Sequence, residues 1–225
     1  MSPMRWQNKR ALVTGASSGI GAAPAHRLAA AGLHVALLAR REERLQGVAE
    51  DIRAAGGQAS LHTADVRDEE ALKQVLDALR ADGGIDVLVN NAGLGRAAPL
   101  MSGSTTSWRE MLEVNVLALM ICTREVLQDL QRRKATGHFI HIASMAGHRV
   151  PPGKGAAYAA TKHAVRALTE GLRNELREAD SDTRVTSISP GYVETEFATR
   201  FAYDDPEAAA RTYSQFPVLQ SEDVA

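Results

Sequence analysis

Residues 10–21 read RALVTGASSGIG, a short apolar run that leads directly into a glycine-rich turn. The apolar run predicts a β-strand, and the residues after the turn favour a helix. A glycine-rich turn between a strand and a helix lets backbone N–H groups at the helix N-terminus bind a pyrophosphate. The glycines, Gly15, Gly19 and Gly21, are spaced GxxxGxG, which differs from the usual dinucleotide fingerprint GxGxxG. The stretch therefore predicts a phosphate-binding turn, with a tight turn that binds nothing as the alternative.

A proline interrupts the helix that is predicted after this turn. Pro24 lies inside the helical pattern, which ends at Gly32, a natural residue for the C-terminal end of a helix. A proline beyond the first turn removes a hydrogen bond and clashes with the carbonyl four residues back, at a cost of about 3 kcal/mol. The sequence therefore predicts either a late helix start or a strained helix that perturbs the phosphate site.

Downstream of this turn, strand-like and helical segments alternate along the chain. The helical segments are amphipathic, as in the stripe of Leu45, Val48, Ala49 and Ile52. Further short, apolar runs predict strands at 35–39, 59–63, 86–89, 139–143 and 185–189. Such alternation predicts an α/β fold with a parallel sheet covered by helices on both faces. Ligands bind to such sheets beyond the carboxyl ends of the strands.

The second predicted strand ends at Ala39 and is followed by two arginines, Arg40 and Arg41. In a dinucleotide-binding fold, the end of this strand lies beside the adenosine ribose. An acidic residue there binds the 2′-hydroxyl of NAD, whereas an arginine accommodates the 2′-phosphate of NADP. None of the residues Ala39, Arg40 and Arg41 at the end of this strand is acidic. The sequence therefore predicts NADP rather than NAD, the alternative being that both arginines simply end a strand at the surface.

Length and composition exclude several classes of protein. The 225 residues predict one α/β domain covering 1–225, and a net charge of −1 predicts binding neither to nucleic acid nor to an acidic membrane. A single cysteine, Cys122, excludes an internal disulfide and suits a reducing compartment. The first ten residues are polar, and no apolar stretch is long enough to span a bilayer. We therefore expect a cytoplasmic protein, and the seven histidines form no metal-ligand pattern.

Four polar residues stand out in the second half of the chain. Asn115 lies among apolar residues of a helical segment at 105–134, where an unpaired amide would cost about 1 to 3 kcal/mol. Ser144 follows the fifth predicted strand, at the base of a glycine- and proline-rich loop. Tyr158 and Lys162 share one helix face at spacing i, i+4. Alone, such a pair is typical of a solvated helix face, so its meaning depends on the rest of the chain.

Together, these motifs resemble those of the short-chain dehydrogenase/reductase family over nearly the whole chain. The motifs, in the family's order and spacing, are TGASSGIG at 14–21, NNAG at 90–93, Asn115, Ser144, Tyr158 with Lys162, and Pro190-Gly191 followed by Thr195. The resemblance implies a Rossmann-like, doubly wound, three-layered fold with strand order 3-2-1-4-5-6. The runs LVNNAGLGRAAPLMSGSTTSW, SMAGHRV and ALTEGLRNELREA resemble an animal dehydrogenase/reductase subgroup that reduces 3-keto and 17-keto steroids with NADPH.

The resemblance also implies a reaction and a role for each polar residue. The expected reaction is hydride transfer between NADP and a ketone or secondary alcohol. Tyr158 would be the proton donor or acceptor, and Lys162 would lower the pKa of Tyr158 and hold the nicotinamide ribose. Ser144 would hydrogen-bond the substrate oxygen, and Asn115 would hold a water that connects Lys162 to solvent.

Further residues are expected to contact the cofactor by the same resemblance. They are Gly15, Ser17, Ser18, Gly19, Ile20 and Gly21 at the phosphates, Asp65 and Val66 at the adenine, Asn91, Ala92 and Gly93 along the ribose, and Pro190, Gly191, Val193 and Thr195 around the nicotinamide. Residues 195–217 would form a lid over the substrate, which would be a small-molecule carbonyl compound or alcohol.

The sequence departs from the family at its C-terminal end. Family members usually continue with another helix, a seventh strand and an interface segment, whereas residues 221–225 resemble a capped helix start. We therefore expect the seventh strand to be missing, with a less stable fold and a weakened homo-oligomer. Two alternatives to a carbonyl reductase stay open: an inactive nucleotide-binding protein, and a 3-hydroxy-acid or hydroxy-amino-acid dehydrogenase that uses Arg149, Lys154 or Arg200.

Overall fold

Six strands run parallel in one sheet in the computed structural model, which describes residues 6–202, 206–214 and 217–225. They are β1 (Arg10–Thr14), β2 (His34–Ala39), β3 (Gln58–Thr63), β4 (Val87–Asn90), β5 (His138–Ile142) and β6 (Arg184–Ile188). Their order is β3-β2-β1-β4-β5-β6. The strand order and the parallel sheet that the sequence predicts are therefore confirmed. The connections all cross over through helices because parallel neighbours cannot be joined by a tight hairpin.

The helices cover both faces of the sheet. They are α1 (Ala22–Ala30), α2 (Glu42–Ala54), α3 (Glu69–Ala81), α4 (Thr105–Leu112), α5 (Ala118–Arg132), α6 (Ala156–Glu178), α7 (Glu196–Phe201) and α8 (Pro206–Ser214). Alternate strand residues point to opposite faces, so that Leu12 and Phe139 pack with α3, α5 and α6. Val13 and Val89 pack on the other face with α1 and α2. The result is the three-layered arrangement that the sequence predicts.

The strand register brings the functional loops to one edge of the sheet. Val13 of β1 pairs with Leu37 of β2 on one side and with Val89 of β4 on the other. Connections from β1 and β4 leave in opposite directions, which opens a crevice between the ends of these two strands. The loops that carry the predicted site residues therefore lie side by side.

Pro24 does not strain the helix in which it lies. Residues Gly19–Gly21 form a 3-10 turn, and α1 begins only at Ala22, so Pro24 is the third helical residue. The N–H groups of a helix's first turn have no intrahelical acceptor, and a proline there loses no bond. Of the two outcomes predicted from the sequence, the late helix start is the one found.

The helical segment predicted at 105–134 is not one regular helix. It consists of α4, a π-helical turn at Glu113–Leu117, and α5. A π turn accommodates one extra residue within an otherwise α-helical segment, and the sequence analysis did not predict it. The inserted turn carries Asn115, whose side chain bonds outside its own helix. Its tertiary hydrogen bonds offset the poorer helical geometry.

The last described segment packs beside the glycine-rich turn. Leu219 forms an isolated parallel bridge with Val193, and Ser221–Val224 form a 3-10 turn. Gln220 and Asp223 form a capping box at the start of this turn, in keeping with the capped start that the sequence predicts. No helix among the described residues combines the length and the apolar character that a bilayer span needs.

The position of Pro24 predicts that this residue contributes little to stability. We expect Pro24→Ala to change the free energy of unfolding by less than about 1 kcal/mol, because the proline occupies a first-turn position that suits its fixed backbone angle. Arg27→Pro, at an exposed interior position of α1, should instead cost about 3 kcal/mol. Chemical denaturation of both variants tests this, and a large loss in Pro24→Ala would contradict it.

Candidate active site

A cavity of about 720 Å³ opens at the carboxyl edge of the sheet. Its wall contains every residue that the sequence analysis assigns to the cofactor, together with Ser144, Tyr158 and Lys162. Asn115 does not line the cavity and lies behind it, 2 % exposed. The cavity extends from the glycine-rich turn to the tyrosine, so both halves of the predicted site belong to one space.

The glycine-rich turn has the shape of a phosphate cradle. Gly15 and Gly19 have backbone φ angles of +69° and +55°, which residues other than glycine rarely adopt. A Cβ on Gly21 would lie 2.2 Å from the carbonyl oxygen of Gly15, so only a glycine fits there. Because the backbone is bare at these positions, a pyrophosphate can approach it closely, as the sequence predicts.

Hydrogen bonds join this turn to the end of β4. Asn91 Nδ2 donates to the carbonyl oxygens of Thr14 and Gly15 at 2.9 and 3.2 Å. In return, Thr14 Oγ1 accepts from the backbone N–H groups of Asn91 and Ala92, at 3.1 and 3.0 Å. The Asn91 side chain therefore holds the turn in place. Thr14 was not among the predicted site residues, although it is the first residue of the TGASSGIG motif.

Arginines surround the end of β2, where the adenosine ribose was predicted to bind. Arg41 donates from NH2 to Ser18 Oγ at 2.7 Å and to Ser17 Oγ at 3.1 Å. Its other terminal nitrogen contacts Glu196 Oε2 at 3.0 Å. Arg40 is more exposed and lies 3.7 Å from a carboxylate oxygen of Asp65. Guanidinium and hydroxyl donors of this kind suit a phosphate group.

Glu196 is a site residue that the sequence analysis missed. It is the first residue of α7 and also pairs with Arg44 and Arg200. The sequence next to Glu196 does not indicate these ion pairs. Arg41 and Arg44 are far away in the chain, at the start of α2, and only Arg200 comes from the next turn of α7.

Tyr158, which is half-buried, and Lys162, which is buried, lie side by side on α6. Lys162 Nζ lies 5.9 Å from the centre of the Tyr158 ring and donates to the carbonyl oxygen of Ile142 at 2.8 Å. Burial raises the pKa of Tyr158 to about 12, while the hydroxyl of Ser144, as a hydrogen-bond partner, acts in the opposite direction. Burial lowers the pKa of Lys162 to about 8. Both side chains are thus held where their charged forms are costly.

Asn115 links the loop after β4 to α6. Its Nδ2 donates to the carbonyl oxygen of Leu94 at 2.8 Å and to Thr161 Oγ1 at 2.9 Å, and its Oδ1 accepts from Leu94 N at 2.8 Å. Thr161 Oγ1 donates in turn to the carbonyl oxygen of Tyr158 at 2.7 Å. Both amide N–H donors of Asn115 therefore have protein partners. Thr161 was missed, although it lies between the tyrosine and the lysine.

Two phenylalanines of α7 cover the tyrosine. The rings of Phe197 and Phe201 lie 5.3 and 6.2 Å from the Tyr158 ring, measured between centroids. The carbonyl oxygen of Phe201 accepts from Ala97 N at 3.0 Å, which fixes the end of α7 to the loop after β4. The two phenylalanine rings form the roof of the cavity above Tyr158. Their i, i+4 spacing was a sequence signal that they share one helix face. Of the predicted lid at 195–217, residues 203–205 and 215–216 lie outside the described residues.

The basic residues considered for carboxylate binding differ in their contacts. Arg149 and Lys154 line the cavity wall. Arg200 also lines it but pairs with Glu196, at 2.6 Å between NH2 and Oε2. Within the described parts of the chain, no three His, Cys, Asp or Glu side chains come together in a way that would hold a metal ion.

Comparison with known proteins assigns the chain to a family. A family profile described as "short chain dehydrogenase" matches residues 9–205. Dehydrogenase/reductase SDR family member 11 of Bos taurus is 50% identical over 226 residues, which cover 98% of this chain and 89% of that protein. Farnesol dehydrogenase of Aedes aegypti is 42% identical, with 98% and 88% covered.

Solved structures agree with this assignment. A serine dehydrogenase in its closed form, complexed with NADP+, superposes with a TM-score of 0.87 at 37% identity, covering 96% of this chain and 85% of that one. The matched structures include chains with NADP and chains with NAD. The resemblance to the family is confirmed, and this chain belongs to the short-chain dehydrogenase/reductase family.

Proposed function

We propose that the chain is an NADP-dependent oxidoreductase that transfers a hydride between the nicotinamide and a ketone or secondary alcohol. The observation that carries this proposal is the single cavity that joins the glycine-rich turn to the half-buried Tyr158 and the buried Lys162. A phosphate cradle supplies cofactor binding, and a tyrosine beside a lysine supplies proton transfer. An inactive nucleotide-binding protein would not need a lysine kept buried at this position, where its charge is costly.

Cofactor binding is assigned to the wall of the cavity. The backbone of the turn from Gly15 to Gly21 would hold the pyrophosphate, and Arg40 and Arg41 the 2′-phosphate. Asp65 and Val66 would border the adenine. Asp65 already accepts hydrogen bonds from Arg67, which together with nearby positive charge lowers its pKa although burial acts the other way.

The remaining cofactor contacts come from the loops after β4 and β6. Because the Asn91 side chain is committed to Thr14 and Gly15, residues 91–93 would meet the ribose mainly through their backbone. Residues 190–195 would surround the nicotinamide. When bound, the nicotinamide supplies or accepts the hydride.

Proton transfer is assigned to Tyr158. Its raised pKa keeps the phenol protonated at neutral pH, so it is ready to donate a proton to the substrate oxygen during reduction. The phenolate that forms would be stabilised by the ammonium of Lys162 and by the hydroxyl of Ser144, which also orients the substrate oxygen. In oxidation the same groups act in reverse, with the phenolate as the base.

Asn115 is assigned a positioning role. Its bonds to Leu94 and Thr161 fix the loop after β4 against the helix that carries Tyr158 and Lys162. Both N–H donors of the Asn115 amide bond protein atoms. A water that connects Lys162 to solvent would therefore have to bind a different group of Asn115. The water-holding role stays a prediction.

The roof of the cavity favours a bulky apolar substrate such as a ketosteroid. Phe197 and Phe201 present aromatic surface next to Tyr158, and the farnesol dehydrogenase relative is named for an apolar alcohol. A second candidate is a hydroxy-acid or hydroxy-amino-acid substrate. Arg149 and Lys154 on the cavity wall favour it, and so does the name of the serine dehydrogenase. Residues 195–217 would act as the lid in either case.

The first experiment measures NADPH oxidation with a panel of a ketosteroid, an aromatic ketone and a 3-keto acid. We expect turnover of the apolar ketones, and we expect Tyr158→Phe to lower kcat by about 10²- to 10⁴-fold because it removes the proton donor. NADPH binding by the variant, followed by fluorescence, controls for folding. Preferential turnover of the keto acid would favour the second candidate, and no turnover of any compound would contradict the proposal.

The second prediction concerns cofactor choice. Arg41→Ala should weaken NADPH binding by about 10- to 100-fold, because a charge-assisted hydrogen bond contributes about 1.5 to 3 kcal/mol. NADH binding should change much less, since NADH lacks the 2′-phosphate. Lys73→Ala, which removes an exposed charge from α3, is the matched control. Tighter binding of NADH than NADPH by the unmodified chain would overturn the assignment.

The third prediction concerns the stability cost of the buried lysine. Because the folded-state pKa of Lys162 is depressed, the charge destabilises the fold at neutral pH, and this cost disappears as pH rises from about 8 to above 10.5. Lys162→Met should therefore be more stable than the unmodified chain at pH 7, by an amount of order 2 kcal/mol. Denaturant titrations of both chains at pH 7 to 10 should show the difference shrinking, and a constant difference would refute this account.

A further inference from the structure

Glu196 pairs with three arginines, of which Arg41 and Arg200 line the cavity. Its Oε2 lies 3.0 Å from NH1 of Arg41 and 2.6 Å from NH2 of Arg200, and its Oε1 pairs with Arg44. The arginines come from two elements, since Arg41 and Arg44 lie at the start of α2 and Arg200 lies on α7. The carboxylate thus ties the first residue of α7 to the start of α2.

The environment of Glu196 is that of an anion in an arginine site. A hydrogen bond from Arg44, followed by the effects of Arg41 and Arg200, lowers the pKa of Glu196 to about 2, although burial acts in the opposite direction. The side chain is therefore ionised at any working pH, and it is 41% exposed at the rim of the cavity. Water and other ligands can reach it and replace its contacts.

Arg41 has two sets of partners, which place it between Glu196 and the phosphate cradle. One terminal nitrogen donates to the hydroxyls of Ser17 and Ser18 in the glycine-rich turn, and the other faces Glu196. A phosphate group that binds at Arg41 would bring a charge close to −2 next to the carboxylate. Two anions that share one guanidinium repel each other, so binding of one disfavours the other.

We propose that Glu196 is a specificity-determining residue, because its carboxylate competes with the 2′-phosphate of NADP for Arg41. This inference rests on the proposed cofactor site. Glu196 weakens the binding of NADP but not that of NAD, which carries an uncharged hydroxyl in place of the 2′-phosphate. The structure therefore contains both the arginine that attracts the 2′-phosphate and an internal anion that moderates this attraction.

The competition also reaches the roof of the substrate cavity. Phe197 and Phe201 follow Glu196 on the same short helix and cover Tyr158. If a 2′-phosphate displaced Glu196 from Arg41, α7 would lose that contact and keep those of Glu196 with Arg44 and of Phe201 with Ala97. With NAD the Glu196 contact persists. The start of α7 would therefore keep its contact with Arg41 when NAD is bound and lose this contact when NADP is bound.

The test is a fluorescence titration of the full chain with NADPH and NADH. Glu196→Gln keeps the shape of the side chain and removes its charge, and we expect it to bind NADPH about three- to tenfold more tightly, with NADH binding changed less than about twofold. Glu69→Gln is the matched control, since Glu69 also forms an exposed i, i+4 ion pair, with Lys73 on α3, and does not line the cavity. It should change neither affinity.

A double variant separates competition from other effects. In the Arg41→Ala background the gain from Glu196→Gln should vanish, because the shared guanidinium is gone. Glu196→Ala should also tighten NADPH binding. This variant tests whether the gain comes from the loss of the carboxylate rather than from new contacts of the glutamine side chain. Weaker or unchanged NADPH binding in both Glu196 variants, while the unmodified chain still prefers NADPH, would overturn this inference alone. A preference of the unmodified chain for NADH would overturn the proposed cofactor as well.

Discussion

The reciprocal hydrogen bonds between Thr14 and the pair Asn91 and Ala92 join the ends of the two central strands. They span the crevice where the connections of β1 and β4 turn in opposite directions. Through Asn91 they also reach the carbonyl of Gly15, so the glycine-rich turn cannot shift relative to β4. The distance from the glycine-rich turn to the loop after β4 is thereby fixed, and in the proposed function the position of the cofactor relative to Tyr158 would depend on that distance.

The other half of the site depends on buried polar groups that the fold supports at some cost. Lys162 is 5% exposed, and its ammonium faces the carbonyl of Ile142 rather than a carboxylate. Among the described residues no carboxylate pairs with this ammonium, and a buried cation without a counter-ion is unfavourable. In the proposed mechanism the same arrangement leaves its field free to act on the phenol of Tyr158. Asn115 and Thr161 bring no charge, and their hydrogen bonds hold α6 against the loop after β4. Under the proposed function, Lys162 would therefore favour reactivity at a cost in stability, whereas Asn115 would favour both.

Much of the fold could be read from the sequence because its signals are local. Apolar runs, the glycine-rich turn and the amphipathic stripes each lie within a few residues, and the strand order then follows from the family motifs. The π turn around Asn115, the role of Thr161 and the arginines around Glu196 could not be predicted in this way. Each depends on contacts between residues far apart in the chain, as between Asn115 and Leu94. Pro24 shows the reverse case, since a local rule predicted possible strain and the exact helix start removed it.

The helix α7 has six residues and reaches both ends of the cavity. Its first residue meets Arg41 beside the glycine-rich turn, and its two phenylalanines cover the tyrosine at the other end. In the proposed function, this one short helix would therefore contact both the cofactor and the substrate. In the evolution of such a chain, a change that fits a new substrate under Phe197 or Phe201 would also move Glu196. Substrate range and cofactor preference would then drift together rather than independently.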